Sequence, residues 1–170
     1  MRLYVIRHAD TVRSGRDPVH DAERPLSERG EHEAVLVGKF LATVEDGLGA
    51  ILCSPLLRAR QTAAALGRLA APALEPRTTE HLAPGFRPRA LLHEVAALQP
   101  AAAAAVVGHQ PDLTAFVSFL TADGPHASIA FPPASVAMLS LAGDPANPHC
   151  SLAWLLPADL IARAFDHRGG

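Results

Sequence analysis

Cysteine is scarce: Cys53 and Cys150 are the only two in 170 residues. They offer no disulfide framework and no metal-type spacing. Cys53 falls inside the apolar run Ala50-Ile51-Leu52-Cys53 and reads as a buried, inert thiol, which fits a reducing, cytoplasmic setting. Charge of one sign is also lacking. The net charge is −2 and no Lys/Arg run forms a tail or stripe, which removes nucleic acid and an anionic membrane surface as default partners. No apolar run reaches the ~18 residues of a membrane-spanning helix. The start of the chain lacks the apolar core and small-residue cleavage site of a secretory signal. The His-Glu-x-x-His metal pattern is absent, and no internal repeat is visible. The alanine segment 101–105 is too short for a linker.

What remains is a chain of one ordinary domain, 1–170, long enough to bury roughly 70% of the surface its unfolded form exposes. Alanine, proline and an excess of arginine over lysine point to a GC-rich, bacterial genome. Strand-like and helix-like segments alternate. Residues 2–7 read as a strand. Ser27 offers an N-cap, and Val37, Phe40, Leu41 and Val44 recur at helical spacing, so a helix is expected over about 28–44, ended by Gly47 and Gly49. His32 and Glu33 fall on its polar side. Residues 50–53 form a second strand. Ser54-Pro55 then reads as a helix start, with serine as the cap and proline at the first helical position, the helix running to about 70. A weaker strand is expected at 74–78 and a helix at 89–98. The apolar run 104–108 is another strand, and Gln110-Pro111 opens a helix to about 121. Two late strands, 136–141 and 151–155, form a hairpin, with Trp154 in the core, and Pro157 opens a terminal helix. The longest irregular stretches are 10–26 and 122–134. Such alternation predicts a mostly parallel sheet covered on both faces, with a mixed edge.

In a parallel sheet the crossovers leave from one edge, and ligands collect there. Strand one ends at Arg7-His8, strand two at Ser54-Pro55 with Arg58 in the next turn, and the 104–108 strand at Gly108-His109. Two arginines, two imidazoles and two helix N-termini converge on that edge, an arrangement suited to a phosphoryl group. A histidine there can act as covalent acceptor.

These residues carry a resemblance. Arg7-His8-Ala9 resembles the Arg-His-Gly signature of the histidine phosphatase (phosphoglycerate mutase-like) superfamily. Residues 54–62, Ser-Pro-Leu-Leu-Arg-Ala-Arg-Gln-Thr, resemble its S-P-x-x-R-A-x-Q-T segment, and Val107-Gly108-His109 its second histidine. Arg24-Pro25-Leu26-Ser27-Glu28-Arg29-Gly30 is similar to the R-P-L-[ST]-x-x-G segment of the SixA-type branch.

The resemblance implies a three-layer α/β/α sandwich, its central sheet mostly parallel with an antiparallel late strand. It implies His8 as nucleophile, Arg7 and Arg58 as phosphate clamps, and His109 as a stabiliser of transition-state charge. Thr11 and the backbone N–H of Gln110 become further phosphate contacts. No cofactor or metal is implied, since two guanidiniums and an imidazole supply the electrostatics. Ala9 replaces the signature glycine, which requires only ordinary backbone angles there. The proton donor that larger members carry after the third strand has Glu80 as its nearest match, with His81 as the alternative.

The expected activity is hydrolysis through a phosphohistidine intermediate, on a phosphorylated protein such as a histidine phosphotransfer domain. A phosphatase or mutase acting on a small phosphorylated metabolite is the alternative, and a non-catalytic phospho-ligand module a more distant one. Of the other histidines, His20, His32, His93, His126, His149 and His167 are assigned to loops or solvated faces. Arg60 is assigned to the surface. Arg24 either caps a carboxylate or reaches the pocket rim.

Overall fold

The structure is a computed structural model and describes residues 1–12, 21–122 and 128–166. His20, His126 and His167, and parts of both long irregular stretches, lie outside the described residues. Six strands form one sheet: β1 (Arg2–Arg7), β2 (Ala50–Cys53), β3 (Arg77–Thr78), β4 (Ala103–Gly108), β5 (Val136–Ala142) and β6 (His149–Leu156). The helices are α1 (Glu28–Val44), α2 (Leu57–Ala70), α3 (Pro88–Ala96), α4 (Asp112–Thr121) and α5 (Ala158–Asp166), with a short 3-10 helix at Glu80–Leu82. The strand order is β3-β2-β4-β1-β5-β6. β1, β2, β3 and β4 are parallel, while β5 runs antiparallel to both β1 and β6. The expected sandwich with one antiparallel late strand is what the sheet forms.

Side chains alternate across the sheet with period two. Tyr4 and Ile6 of β1 join Ile51, Cys53, Ala105 and Val107 in one core with α1, α2 and α5 residues. Leu3 and Val5 join Leu52, Ala104 and Val106 in a second core with α3 and α4 residues. All six residues of β4 are buried, as a strand covered on both faces should be. In α1, Ala34, Val37, Gly38 and Leu41 are buried at the i, i+3, i+4, i+7 spacing of one helix face. Gly38 lets α1 and α2 approach closely, since a Cβ there would lie 2.8 Å from Leu69 Cδ1.

Four expectations need correction. α2 starts at Leu57, with Leu56 as a cap that makes no side-chain bond. Ser54 instead continues the ladder, its N–H donating to Val107 O at 3.0 Å. β3 is only two residues long, because Pro76 has no N–H for the ladder. Glu33 does not face solvent. It is 9% exposed, accepts the Asp10 N–H at 3.0 Å and pairs with Arg29. Trp154 is half-buried rather than enclosed, packing beside Tyr4 and Phe40. His32, His93, His149 and Arg60 are exposed, as expected.

Candidate active site

The register of the sheet assembles the site. Arg7 lies beside Gly108, and Cys53 beside Val107. His8, Ser54 and His109 are therefore the residues one step past the ends of three adjacent strands. The His8 N–H still donates to Gly108 O at 3.1 Å. The rings of His8 and His109 then sit side by side with centroids 5.0 Å apart, tilted by 54° to each other. Arg7, His8, Arg58 and His109 line a cavity of about 390 Å³ together with Thr11, Arg24 and Gln110. Asp10, Asp21, Pro84 and Pro133 complete it. Two other cavities of similar size, about 410 Å³ beside α1 and α5 and about 460 Å³ beside Trp154, bring together no such pairing of imidazoles and guanidiniums.

His8 is 8% exposed and His109 3%. The His8 Nδ1 lies 2.8 Å from Ala9 O. A carbonyl only accepts, so Nδ1 carries the proton and Nε2 keeps its lone pair. Burial pulls the His8 pKa down to about 4 despite the opposing pull of that carbonyl, and Arg58, Arg7 and Arg24 lower it further. His109 is pulled to about 3, first by burial and then by His8 and Arg58. Both rings are thus neutral near pH 7. A neutral His8 is a ready nucleophile rather than an imidazolium.

His109 Nε2 lies 2.7 Å from Ser54 Oγ. That oxygen also accepts the Leu56 N–H at 3.3 Å; Ser54 is fully buried, and Nε2 is the one acceptor for its proton among the described residues. His109 then carries its hydrogen on Nδ1, which is buried and has no partner among the described residues. Arg7 Nη1 donates to Phe131 O at 2.7 Å. Arg58 Nη1 donates to Asp21 O at 2.7 Å and Nη2 to Asp21 Oδ2 at 3.0 Å. The Nε atoms of Arg7 and Arg58 are also buried without a partner among the described residues. Burial lowers the pKa of both guanidiniums from the ordinary arginine value, and arginine remains charged in proteins. The first N–H groups of α2 and α4 are largely taken, Leu57 by Ala22 O, Leu113 by His109 O and Thr114 by Gln110 Oε1, so what the two helix starts bring to this edge is their positive dipole ends. The site gathers donors and positive charge around a lone-pair nitrogen, which is what an oxyanion under nucleophilic attack requires.

Ala9 is fully buried, donates its N–H to Thr62 Oγ1 at 3.1 Å, and is not among the described residues of positive φ. The methyl is accommodated. Thr11 pairs with Leu26 across an isolated bridge. The Gln110 side chain is committed to α4 through two bonds with Thr114. Arg24 does both things expected of it, pairing with Asp21 at 2.8 Å and lining the pit. Glu80 and His81 are exposed and are not among the residues lining the cavity. The carboxylates that do line it, Asp10 and Asp21, were missed. The Asp21-Ala22-Glu23-Arg24 sequence, with an acid three residues before Arg24, was the available signal.

The family model described as histidine phosphatase superfamily (branch 1) matches residues 3–84. An uncharacterized protein of Mycobacterium tuberculosis is 35% identical over 146 residues, 81% of this chain and 88% of that protein. The structure of the protein histidine phosphatase SixA complexed with tungstate superposes with a TM-score of 0.83 at 22% identity, over 95% of this chain and 99% of that one. A protein named SixA from Agrobacterium tumefaciens gives 0.75 at 26% identity, over 92% and 97%. A mycobacterial glucosyl-3-phosphoglycerate phosphatase gives 0.71 at 22%, over 89% and 96%. With four ordered motifs meeting in one pit, the chain belongs to the histidine phosphatase superfamily, in its SixA-like branch.

Proposed function

We propose that this protein hydrolyses a phosphoryl group through a covalent phosphohistidine on His8, and that its substrate is a phosphohistidine displayed on another protein, such as a histidine phosphotransfer domain. The observation that carries the reading is the His8 ring. Its Nδ1–H is tied to Ala9 O, which leaves Nε2 as the free lone pair in a pit lined by Arg7, Arg58 and His109. Nε2 attacks phosphorus. Arg7 and Arg58 hold the non-bridging oxygens, and the His109 Nδ1–H donates to the charge that develops there. Thr11 and the Gln110 backbone assist. Water then attacks the phosphoenzyme and phosphate leaves. The scheme draws on no metal, because the guanidiniums and imidazole supply the positive field. The R-P-L-S segment and the likeness to SixA-named structures support the protein substrate.

A small phosphorylated metabolite is the second reading, supported by the fold shared with glucosyl-3-phosphoglycerate phosphatase. The test compares a phosphorylated phosphotransfer domain with small phosphate esters, and His8→Ala with the native protein. Expected is faster turnover of the protein substrate and an acid-labile phosphate that His8→Ala abolishes together with activity, a loss of about 10³-fold or more. Preferred turnover of a small ester would discard the protein substrate. Undiminished hydrolysis by His8→Ala would discard the mechanism.

A further inference from the structure

Two carboxylates reach the pit, and the proposed reaction uses neither. Asp10 is drawn back toward α1 by the Ser27 hydroxyl, which donates to its Oδ2 at 2.6 Å. Asp21 is held otherwise. Its Oδ2 accepts from Arg58 at 3.0 Å and its Oδ1 from Arg24 at 2.8 Å. Yet the Asp21 side chain is 41% exposed while that of Arg58 is 5% exposed. Burial therefore grades the pit, with the imidazoles at the floor and Asp21 at the mouth. A group displaced by attack from His8 departs away from the nucleophile, toward that mouth. The fixed charges it meets there are the Asp21 carboxylate, 41% exposed, and the Arg24 guanidinium paired with it, 25% exposed; the carboxylate is the only one that can accept a hydrogen bond, and it has no proton to give.

We propose that Asp21 selects the leaving group, favouring a phosphoryl group carried on a ring nitrogen over one carried on oxygen; the inference rests on the phosphohistidine chemistry proposed above. In the favoured step the lone pair of His8 Nε2 forms the new N–P bond as the bond from phosphorus to the substrate ring nitrogen breaks. The electron pair of the broken bond stays on that nitrogen. The substrate ring enters protonated on its other nitrogen and leaves as neutral imidazole, so the protein supplies no proton. Asp21 accepts the hydrogen bond of that ring N–H and holds the substrate in its protonated, reactive form. An ester behaves oppositely. Its oxygen takes the electron pair and leaves as an anion, which Asp21 repels and cannot protonate. The position of Glu80 outside the pit fits a site that provides no acid from that segment.

The test measures kcat/KM for free N-phosphohistidine and for p-nitrophenyl phosphate in the native protein, Asp21→Asn and Asp21→Glu. The ratio of nitrogen-linked to oxygen-linked turnover is expected to fall at least tenfold in Asp21→Asn, chiefly through a higher KM for phosphohistidine, and to recover in Asp21→Glu. Should the Asn variant melt early, Asp21→Ser provides the same comparison. An unchanged ratio, including a parallel fall on both substrates, would make Asp21 only an anchor for Arg58 and overturn the inference. Absence of acid-labile phosphate on His8 in the native protein would instead overturn the underlying function, whatever Asp21 does.

Discussion

The buried hydroxyl of Ser54 sets which nitrogen of His109 bears a proton, because Nε2 is the one acceptor for its own hydrogen among the described residues. Ser54→Ala removes that preference. We expect kcat to fall between about 10- and 100-fold, as when the partner that orients a functional histidine is lost, with His8 still labelled by substrate in a single-turnover assay. The imidazoles make a second prediction. Both are depressed below 6.5, to about 4 for His8 and about 3 for His109. The unfolded chain therefore binds these protons first as pH falls. The stability they contribute is complete above about pH 6.5 and is lost as pH falls through that value toward 4 and 3. Melting temperatures of the native protein should drop more steeply over that window than those of a His8→Gln/His109→Gln variant. Equal slopes would contradict the burial of two neutral rings. The four central residues were legible in the sequence because each ends an apolar strand or opens the next helix. Ser54 was misread because Ser-Pro serves equally as a helix cap, and only the ladder to Val107 decides between the uses. Asp21 was legible only as an acid three residues before Arg24; its second partner, Arg58, lies 37 positions away and nothing local reports it.

At the level of elements, the R-P-L-S-x-x-G segment is a fastening. Ser27 N–H donates to Asp10 O at 3.1 Å, and its hydroxyl oxygen caps α1 by accepting the Gly30 N–H at 3.0 Å. Leu26 N–H donates to Gln61 Oε1 at 2.8 Å. Asp10, Leu26 and Ser27 are thus tied to the starts of α1 and α2. Gly30 is required by contact: a Cβ there would sit 1.9 Å from Asp10 O. Gly30→Ala must push α1 away from the strand end. We expect a loss of about 1–3 kcal/mol or more, as for overpacking, measured by urea unfolding, with a fall in activity because the Asp10 backbone that must yield lies two residues after His8. Normal stability and activity would show that the helix start yields freely. Helix existence was clear from periodicity, whereas Glu33 was misassigned because the Asp10 N–H that it accepts comes from outside its helix.

For the whole molecule, two cores lie on opposite faces of one sheet, and β1 contributes to both. It is paired along its length with β4 on one side and β5 on the other. The fold class could be read from alternation alone, while the strand order could not, because β4 enters between β1 and β2 through contacts distant in sequence. Strands held on both edges open only when the domain opens. The amides of Val5 and Ile6 are expected to exchange with deuterium at the rate set by global unfolding, and faster exchange there would contradict it. The proposed nucleophile, His8, is the first residue past this strand. Fraying of the outer strands then leaves His8 in place, and loss of activity on heating tracks the fate of the entire molecule. Residual turnover becomes a direct count of native molecules.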